Sequence, residues 1–335
     1  MKQPTILDVA ELAGVSKSLV SLVMREPERV SESSRMAVLE AVKQLGYRPN
    51  AVARSLVQQR SHVIGVVVSD LHNPFFADVA DGIEAAAAAA GFRTILSSGF
   101  LDPHRERGAL DTLLEMRADG IIIMGSRMDP DLIETVAASV PVTVLGRYTE
   151  SRFIDSVGVD DSVGAMEAVD YLINLGHTKI VHIHAGTAAG APRRLQGYER
   201  AMRNHGLEDE IRSVAGDFTE AGGTKAMTEI LASGDVPTAV FAPNDFSALG
   251  AMNVIDSAGL RIPEDISLFG YDNLAIAGLP RISLTTVGQP RAALGEEAVA
   301  LVLERLDEGR GIVRRVVVPP FLVIRSTTGP PRVDT

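Results

Sequence analysis

From His62 onward, short apolar runs alternate with segments of helical pattern, and this alternation restricts the fold more than any other feature of the chain. Most of the apolar runs, such as VIGVVV at 63–68, are hydrophobic throughout rather than at every second residue. Continuous apolar strands between helices are typical of a parallel sheet covered on both faces. We predict strands at 63–68, 94–98, 120–125, 141–146, 156–161, 179–185, 212–215, 238–243, 266–272, 284–290 and 314–325, and helices at 78–92, 104–118, 130–139, 162–175, 194–205, 220–233, 245–258 and 291–308.

This alternation is long enough for two sheets. The elements before about residue 155 and those after it form two sets of similar length, so we expect two similar α/β lobes. The last elements, from residue 284 onward, can return to the first lobe. Several strands would then link the lobes as a hinge.

The first residues follow a different pattern, which predicts two short helices joined by a tight turn at 5–24. Thr5 can cap the first helix, with Asp8 in the position of a capping-box acid. Gly14 stands where the turn needs positive φ, and Ser16 can cap the second helix. Such a pair is a helix-turn-helix, whose second helix can enter a DNA major groove. An αα-hairpin without a ligand is the alternative.

A third helix and a conditional helix follow. Ser31 can cap the third helix, and Gly46 stands at its C-terminal end. After Pro49, Asn50 can cap a short helix in which Ala53 and Leu56 share one face. Because about two turns are not stable alone in water, we expect this helix to form only against a partner. A plain interdomain linker is the alternative.

The charges are unevenly distributed along the chain, whose net charge is −11. Residues 1–60 contain nine Lys/Arg and six Asp/Glu, against 23 and 37 in the remainder. This asymmetry is expected if only the N-terminal segment meets phosphates. The chain has no Cys, which excludes disulfides and thiolate sites. Since no secretory h-region or long apolar run is present, we expect a soluble, cytoplasmic protein.

The chain resembles the lactose/galactose repressor family of bacterial transcriptional regulators from Thr5 to about Arg325. The N-terminal motifs are D-V-A-x-x-A-G-V-S at 8–16, V-S at 20–21, V-S-x-x-S-R at 30–35 and L-G-Y-R-P-N-x-x-A-R-S-L at 45–56. The later motifs are I-G-V-V-V (64–68), N-P-F-F (73–76), D-G-I-I-I (119–123), L-G-H-T-K-I (175–180), G-Y (197–198), N-D-x-x-A-L-G-A-M (244–252), I-P-E-D-I-S-L-F-G-Y-D (262–272) and L-T-T-V-x-Q-P (284–290).

The resemblance implies a homodimer that binds a pseudo-palindromic, double-stranded operator and, when bound, associates with the nucleoid. It implies two Rossmann-like lobes related to periplasmic sugar-binding proteins, with a small effector between them. The expected domains are 1–46 (helix-turn-helix), 47–60 (hinge helix and linker), 61–325 (effector-binding and dimerisation core) and a disordered tail, 326–335. Within the core we expect lobe one at about 61–155 plus 288–325, and lobe two at about 156–287.

The resemblance also implies a DNA-contacting set. Lys17 can donate to guanine O6 and N7, or contact phosphate alone. Leu22 stands where many relatives carry Arg, and can touch a thymine methyl or simply pack. Leu56 matches the apolar wedge that opens a base step in the minor groove, and Arg48 and Arg54 are candidates for phosphate contact. The full candidate set is Thr5, Ser16, Lys17, Ser18, Ser21, Leu22, Tyr47, Asn50, Ala53, Arg54 and Leu56.

The matching effector positions lie after predicted strands, where α/β folds bind ligands. Asp272 can accept two hydroxyl hydrogen bonds, while Arg194 and Asn244 donate to neighbouring oxygens. Alternatively, Asp272 caps a strand end and Asn244 caps a helix. We therefore place a neutral sugar or polyol first, and, because of Arg147, a phosphorylated or acidic sugar second. The candidate set is Asn73, Phe75, Arg147, Arg194, Phe218, Asn244, Asp272 and Gln289.

Other signals are weak. His182 and His184 alternate on one strand and could form a metal pair, but no third ligand is near, so a buried or pocket-rim pair is favoured. No P-loop or G-x-S-x-G motif is present, and we predict neither catalysis, a metal nor a cofactor. A solute receptor of a transport system and a cytosolic sugar-processing enzyme are the alternative functions. The receptor would leave the first 60 residues unexplained and would need an export signal, which is not seen, and the enzyme would need a nucleophile or cofactor motif, which is not seen either.

Overall fold

A computed structural model describes residues 4–47, 60–147, 149–308 and 311–332 of the chain. The chain divides into two compact units, Met1–Ser61 and His62–Thr335. The first unit is helical and the second contains two α/β lobes.

The described residues of the first unit contain three α-helices: α1 (Ile6–Ala13), α2 (Lys17–Arg25) and α3 (Glu32–Leu45). The predicted capping box is confirmed, since Thr5 N donates to Asp8 Oδ2 at 2.6 Å and Asp8 N donates to Thr5 Oγ1 at 3.4 Å. Gly14 ends α1 in the left-handed conformation, which glycine adopts without strain. Val9, Val20, Val23 and Val38 are among the buried residues that hold the helices together.

The described residues of the second unit contain twelve strands. They are β1 (Val63–Val68), β2 (Arg93–Ser98), β3 (Gly120–Met124), β4 (Val142–Leu145), β5 (Ile154–Val159), β6 (Ile180–His184), β7 (Arg212–Ala215), β8 (Ala239–Phe241), β9 (Ser267–Asp272), β10 (Thr285–Gly288), β11 (Arg315–Val318) and β12 (Phe321–Val323). The helices between them are α4 (Pro74–Ala89), α5 (Pro103–Glu115), α6 (Pro130–Ala137), α7 (Asp161–Asn174), α8 (Ala191–Asn204), α9 (Glu220–Ala232), α10 (Asp245–Ser257) and α11 (Arg291–Glu308).

Each lobe is built on one six-stranded sheet. Lobe one has the strand order β11-β5-β4-β3-β1-β2, and all its pairs are parallel. Lobe two has the order β12-β10-β9-β8-β6-β7 and is parallel except for β12. Aliphatic clusters cover the faces of both sheets, as expected for continuous apolar strands. The chain passes between the lobes three times, after β5, after β10 and after β11.

The predicted lobe boundary at 155/156 was wrong, because β5 continues the sheet of lobe one to Val159 and pairs with β4 and β11. The predicted strand at 314–325 is also two strands, β11 and β12, which lie in different sheets. Pro319 and Pro320 separate them, and proline has no N–H to donate to a ladder. β12 pairs antiparallel with β10 at the edge of lobe two.

The tail at 326–335 was predicted to be disordered, but its described residues, 326–332, are ordered against lobe two. Leu268 N donates to Thr327 O at 2.8 Å, and the imidazole of His177 donates from Nε2 to Gly329 O at 2.8 Å. These bonds attach the segment after β12 to lobe two. The composition of 326–335 suggested disorder. The residues that bind this segment, Leu268 and His177, are distant in the sequence and leave no local pattern within it.

Candidate functional site

The second helix of the N-terminal unit, α2, carries most of the described DNA-contact candidates. Ser16 caps α2, since its Oγ accepts from Leu19 N at 3.2 Å. Lys17 and Ser18 are exposed in the first turn, whereas Ser21 and Leu22 are half-buried. Val20 and Val23 point into the core, so the first turn of α2 presents its polar side chains to solvent.

The remaining DNA-contact candidates fall into two groups. Thr5 is exposed in the capping box of α1, and Tyr47 is half-buried against the core of the first unit. Asn50, Ala53, Arg54 and Leu56 lie outside the described residues, as does Arg48. The predicted hinge helix therefore stays a prediction.

The effector candidates converge on one cavity between the two lobes, which we call the inner chamber. The loops after the carboxyl ends of strands from both sheets supply its lining. Its volume is about 60 Å³. The predicted residues that line it are Asn73, Phe75, Arg194, Phe218, Asn244, Asp272 and Gln289.

Arg147 lies outside this group. It lines an adjoining, larger cavity of about 920 Å³, which we call the outer cavity. The two cavities share Gly146, Ala189 and Gly190 in their linings. Arg147 Nη1 donates to Met128 O at 3.0 Å, so its guanidinium lies against the loop after β3.

Arg194 is the centre of the polar network in the inner chamber. It is 6% exposed, and its Nε donates to Asp161 Oδ1 at 2.9 Å. Its Nη1 donates to Pro243 O and lies 3.9 Å from Asp272 Oδ1. The guanidinium carbon lies 3.6 Å from the ring centroid of Tyr271, within cation–π range. These contacts fix a buried guanidinium between two carboxylates.

Asp272 is 3% exposed and accepts from Gln289 Nε2 at 2.6 Å. Its φ of 110° is uncommon for a residue with a side chain, which is typical of functional positions. Burial raises the pKa of Asp272 above its usual range, although Arg194 opposes the shift. Burial and the neighbouring Asp272 also raise the pKa of Asp245, which accepts from Leu274 N and Thr286 Oγ1. The protonation of each of these two carboxyl groups therefore depends on the charge of the other.

Asn244 caps a helix, as the alternative interpretation predicted, and it makes a second contact as well. Its Oδ1 accepts from Ser247 N at 2.9 Å and caps α10, while its Nδ2 donates to Phe218 O at 3.0 Å. Asn73 similarly caps α4, accepting from Phe75 N at 3.0 Å. Both amides line the chamber while they fix its loops.

The aromatic candidates line the same chamber. Phe75 makes an edge contact with Phe76, their ring centroids 5.4 Å apart. The guanidinium of Arg194 lies 5.4 Å from the ring centroid of Phe218. Such rings can offer flat apolar surface to sugar C–H groups.

The sequence interpretation missed Asp161 and Phe76. Asp161 is the main ion-pair partner of Arg194. Its place after a parallel strand was the available signal, since ligands of α/β folds bind at the carboxyl ends of strands. Phe76 belongs to the N-P-F-F motif, in which only Asn73 and Phe75 had been selected.

The two histidines of the predicted pair make different contacts in the structure. His182 is buried, its Nδ1 bonds Phe241 O at 2.9 Å, and its ring stacks on Phe241 with centroids 4.8 Å apart. His184 Nδ1 accepts from Gly186 N at 3.2 Å. Within the described ranges, no group of three or more His, Cys, Asp or Glu side chains could hold a metal ion.

Among the described helices, none has the length and apolar character needed to cross a membrane.

Two stretches of the chain match known families. Residues 5–50 match "Bacterial regulatory proteins, lacI family". Residues 61–326 match "Periplasmic binding proteins and sugar binding domain of LacI family". The first match lies within the helical unit, and the second covers nearly all of the two-lobed unit.

Full-length relatives agree with both matches. The chain is 35% identical over 327 residues to the HTH-type transcriptional repressor PurR of Photobacterium profundum, covering 96% of this chain and 98% of PurR. It is 34% identical over 311 residues to the HTH-type transcriptional repressor CytR of Escherichia coli (strain K12), covering 90% of each.

Solved structures give the same result. The Lac repressor dimer bound to operator and the anti-inducer ONPF matches with a TM-score of 0.88 at 31% identity, covering 98% of this chain and 100% of that one. A complex of the transcriptional regulator CelR with cellobiose matches with a TM-score of 0.73 at 31% identity, covering 97% and 99%. Since family matches, relatives and structures agree over nearly the whole length, the chain belongs to the LacI family of bacterial regulatory proteins.

Proposed function

We propose that this protein is a cytoplasmic, homodimeric repressor that binds a pseudo-palindromic operator, and that a small sugar-like effector between its lobes controls operator affinity. The observation that carries the proposal is the inner chamber, where Arg194, Asp272 and Gln289 form a buried polar network. Its carboxylate and amide groups suit neighbouring hydroxyls, and its aromatic rings suit sugar C–H faces. The relatives named above are transcriptional repressors, and CelR was solved with cellobiose.

Control of DNA binding follows from the position of the chamber. The chain crosses between the lobes three times, and the crossings after β5 and β10 contribute Val159 and Gln289 to the chamber lining. A ligand that contacts both lobes therefore favours one relative arrangement of them. We infer that this arrangement determines whether the segment 50–57 of two protomers can pair on the minor groove. Effector and operator are then coupled through one equilibrium, and each changes the affinity for the other.

The test is a gel-shift assay on the promoter region of the protein's own operon, with and without candidate sugars. Sequence-specific binding that weakens steeply with salt is expected. Lys17→Ala should weaken specific binding by about ten- to hundredfold if Lys17 reads a guanine, since one good base contact contributes about 1–3 kcal/mol. Lys43→Ala, which removes the same charge from an exposed position on α3, is the matched control. Absence of sequence-specific binding would refute the proposed function.

A further inference from the structure

The outer cavity carries a chemistry different from that of the inner chamber. Three arginines line it, Arg127, Arg147 and Arg193, and Asp129 is the one carboxylate among its described lining residues. The Asp129 carboxylate already accepts from Asp131 N at 3.0 Å as the cap of α6. In a chain with a net charge of −11, the lining of this cavity thus carries more arginines than carboxylates. Such a cavity concentrates anions.

The three guanidinium groups come from both lobes. Arg127 and Arg147 follow β3 and β4 of lobe one, whereas Arg193 lies in the first turn of α8 in lobe two. Arg193 Nη2 lies 3.3 Å from Asp160 Oδ1, and Arg147 Nη1 donates to Met128 O at 3.0 Å. The contact of Arg147 uses one donor of a five-donor group, so this side chain is positioned while keeping donors for a ligand. The ion pair with Asp160 positions Arg193 at the same cavity.

A buried carboxylate fixes the loop that carries Arg127. Glu106 is 0% exposed, and its Oε2 accepts from Arg127 N at 2.9 Å and from Ser126 Oγ at 2.7 Å. Its Oε1 accepts from Ser69 Oγ at 2.9 Å, which ties the ends of β1 and β3 together. Met128 N donates to Ser126 Oγ at 3.0 Å. The loop that carries Arg127 and accepts the hydrogen bond from Arg147 is therefore fixed by hydrogen bonds to a buried carboxylate.

The inner chamber and the outer cavity adjoin at Gly146, Ala189 and Gly190. Both glycines adopt positive φ, 77° and 81°. A Cβ at Gly190 would lie 2.9 Å from Asp161 Oδ2, so a larger residue there would press on the partner of Arg194. Small residues at the junction leave room for one ligand to extend from the hydroxyl-binding groups to the arginines.

We propose that the effector is a sugar or polyol bearing an anionic group, a phosphate or a carboxylate. Its hydroxyls bind in the inner chamber, and its anion is held in the outer cavity by Arg147 and Arg193, with Arg127 at the rim. This reverses the order predicted from the sequence, in which a neutral sugar came first. Guanidinium forks match phosphate and carboxylate oxygens, and an anion bound between lobes favours their approach. The inference rests on the proposed function, since it concerns the same effector.

The test uses matched pairs of probes on the full-length protein: glucose with glucose 6-phosphate, ribose with ribose 5-phosphate, and glucose with glucuronate. Thermal shift identifies binders, and calorimetry gives their affinities. In at least one pair the anionic member should bind about tenfold or more tightly than the neutral one. Comparison of the two sugar phosphates with glucuronate shows whether the site prefers a phosphate or a carboxylate. Inorganic phosphate alone should raise the Tm of the wild type more than that of the Arg147→Gln/Arg193→Gln double variant.

Variants locate the effect. Arg147→Gln and Arg193→Gln should each weaken the anionic probe about tenfold, because one charge-assisted contact is lost. Arg200→Gln, an exposed arginine on the same helix as Arg193, is the matched control and should change nothing. Equal affinities within every pair, an unchanged affinity in both variants, or no response to any anion in the panel would each overturn the inference. Specific operator binding by the wild-type protein, measured by gel shift, is expected to persist even where this inference fails, and it therefore separates this failure from failure of the proposed function.

Discussion

Replacing His182 by Phe should remove a defined part of the pH dependence of stability. His182 lies on β6 beneath α8, is 0% exposed, and packs against the rings of Tyr198 and Phe241. Burial lowers its pKa to about 3, with smaller contributions from the neighbouring His184 and Arg194. In the unfolded chain the same imidazole titrates near about pH 6.5. Between these two values the unfolded state binds a proton at His182 that the folded state does not.

The sign follows from that difference. Because the unfolded state binds more protons, the free energy of unfolding falls as pH falls from about 6.5 toward about 3. A folded pKa of about 3 against an unfolded one of about 6.5 gives a loss of about 2 kcal/mol between pH 7 and pH 5. The raised pKa values of Asp245 and Asp272 act in the opposite direction, since the folded state then holds protons that the unfolded chain releases. Comparison of wild type and variant isolates the histidine.

The assay is urea denaturation of the full-length protein at pH 5, 6 and 7, followed by circular dichroism. His182→Phe keeps a ring between Tyr198 and Phe241 but loses the hydrogen bond to the carbonyl of Phe241, so its stability at pH 7 falls. The quantity to compare is the change from pH 7 to pH 5, which should be about 2 kcal/mol smaller in the variant. His104→Gln removes an exposed histidine as the control. An unchanged pH dependence in His182→Phe would show that His182 does not stay neutral in the folded state.

Three further outcomes are expected. Asp272→Ala should abolish the effector response in the gel shift while operator binding persists, and a retained response would remove Asp272 from the site. Leu56→Ala should weaken specific operator binding much more than non-specific binding, whereas equal losses would contradict the wedge role implied by the family. Gly223→Ala should destabilise by about 1–3 kcal/mol or more in urea denaturation, because the added Cβ would lie 1.9 Å from Ser247 O where α9 and α10 pack. Gly108→Ala, where nothing lies within 4 Å, should instead stabilise α5 by about 0.5–1 kcal/mol, and equal effects at the two glycines would refute the packing argument.

The two carboxyls Asp245 and Asp272 connect the effector site to the core of lobe two. Asp272 faces the chamber, whereas Asp245 accepts from Thr286 Oγ1 at 2.6 Å and from Leu274 N at 2.7 Å behind it. A ligand hydroxyl that donates to Asp272 stabilises its ionised form. The negative charge on Asp272 then opposes ionisation of Asp245. Effector binding is therefore expected to depend on pH.

The sequence alone determined the local features of this protein. The capping box of Thr5 and Asp8 and the turn at Gly14 depend on residues three or four apart, so their pattern is visible in the chain. The resemblance to the lactose/galactose repressor family also assigned Asp272 and Gln289 to one site, in agreement with the rule that the carboxyl ends of parallel strands meet at one edge of a sheet. The three-helix unit and the βα alternation followed from periodicity for the same reason.

Tertiary structure decided which distant residues meet. Nothing local shows that Asp161 pairs with Arg194, that β5 completes the sheet of lobe one, or that Pro319 and Pro320 divide one apolar run between two sheets. Arg147 was selected through the family resemblance, but Arg127 and Arg193 were not, since they follow distant elements of the chain and only the tertiary structure brings them to one cavity. Local hydrogen bonds set the ends of helices and strands, while packing between lobes sets the shape and charge of the cavities.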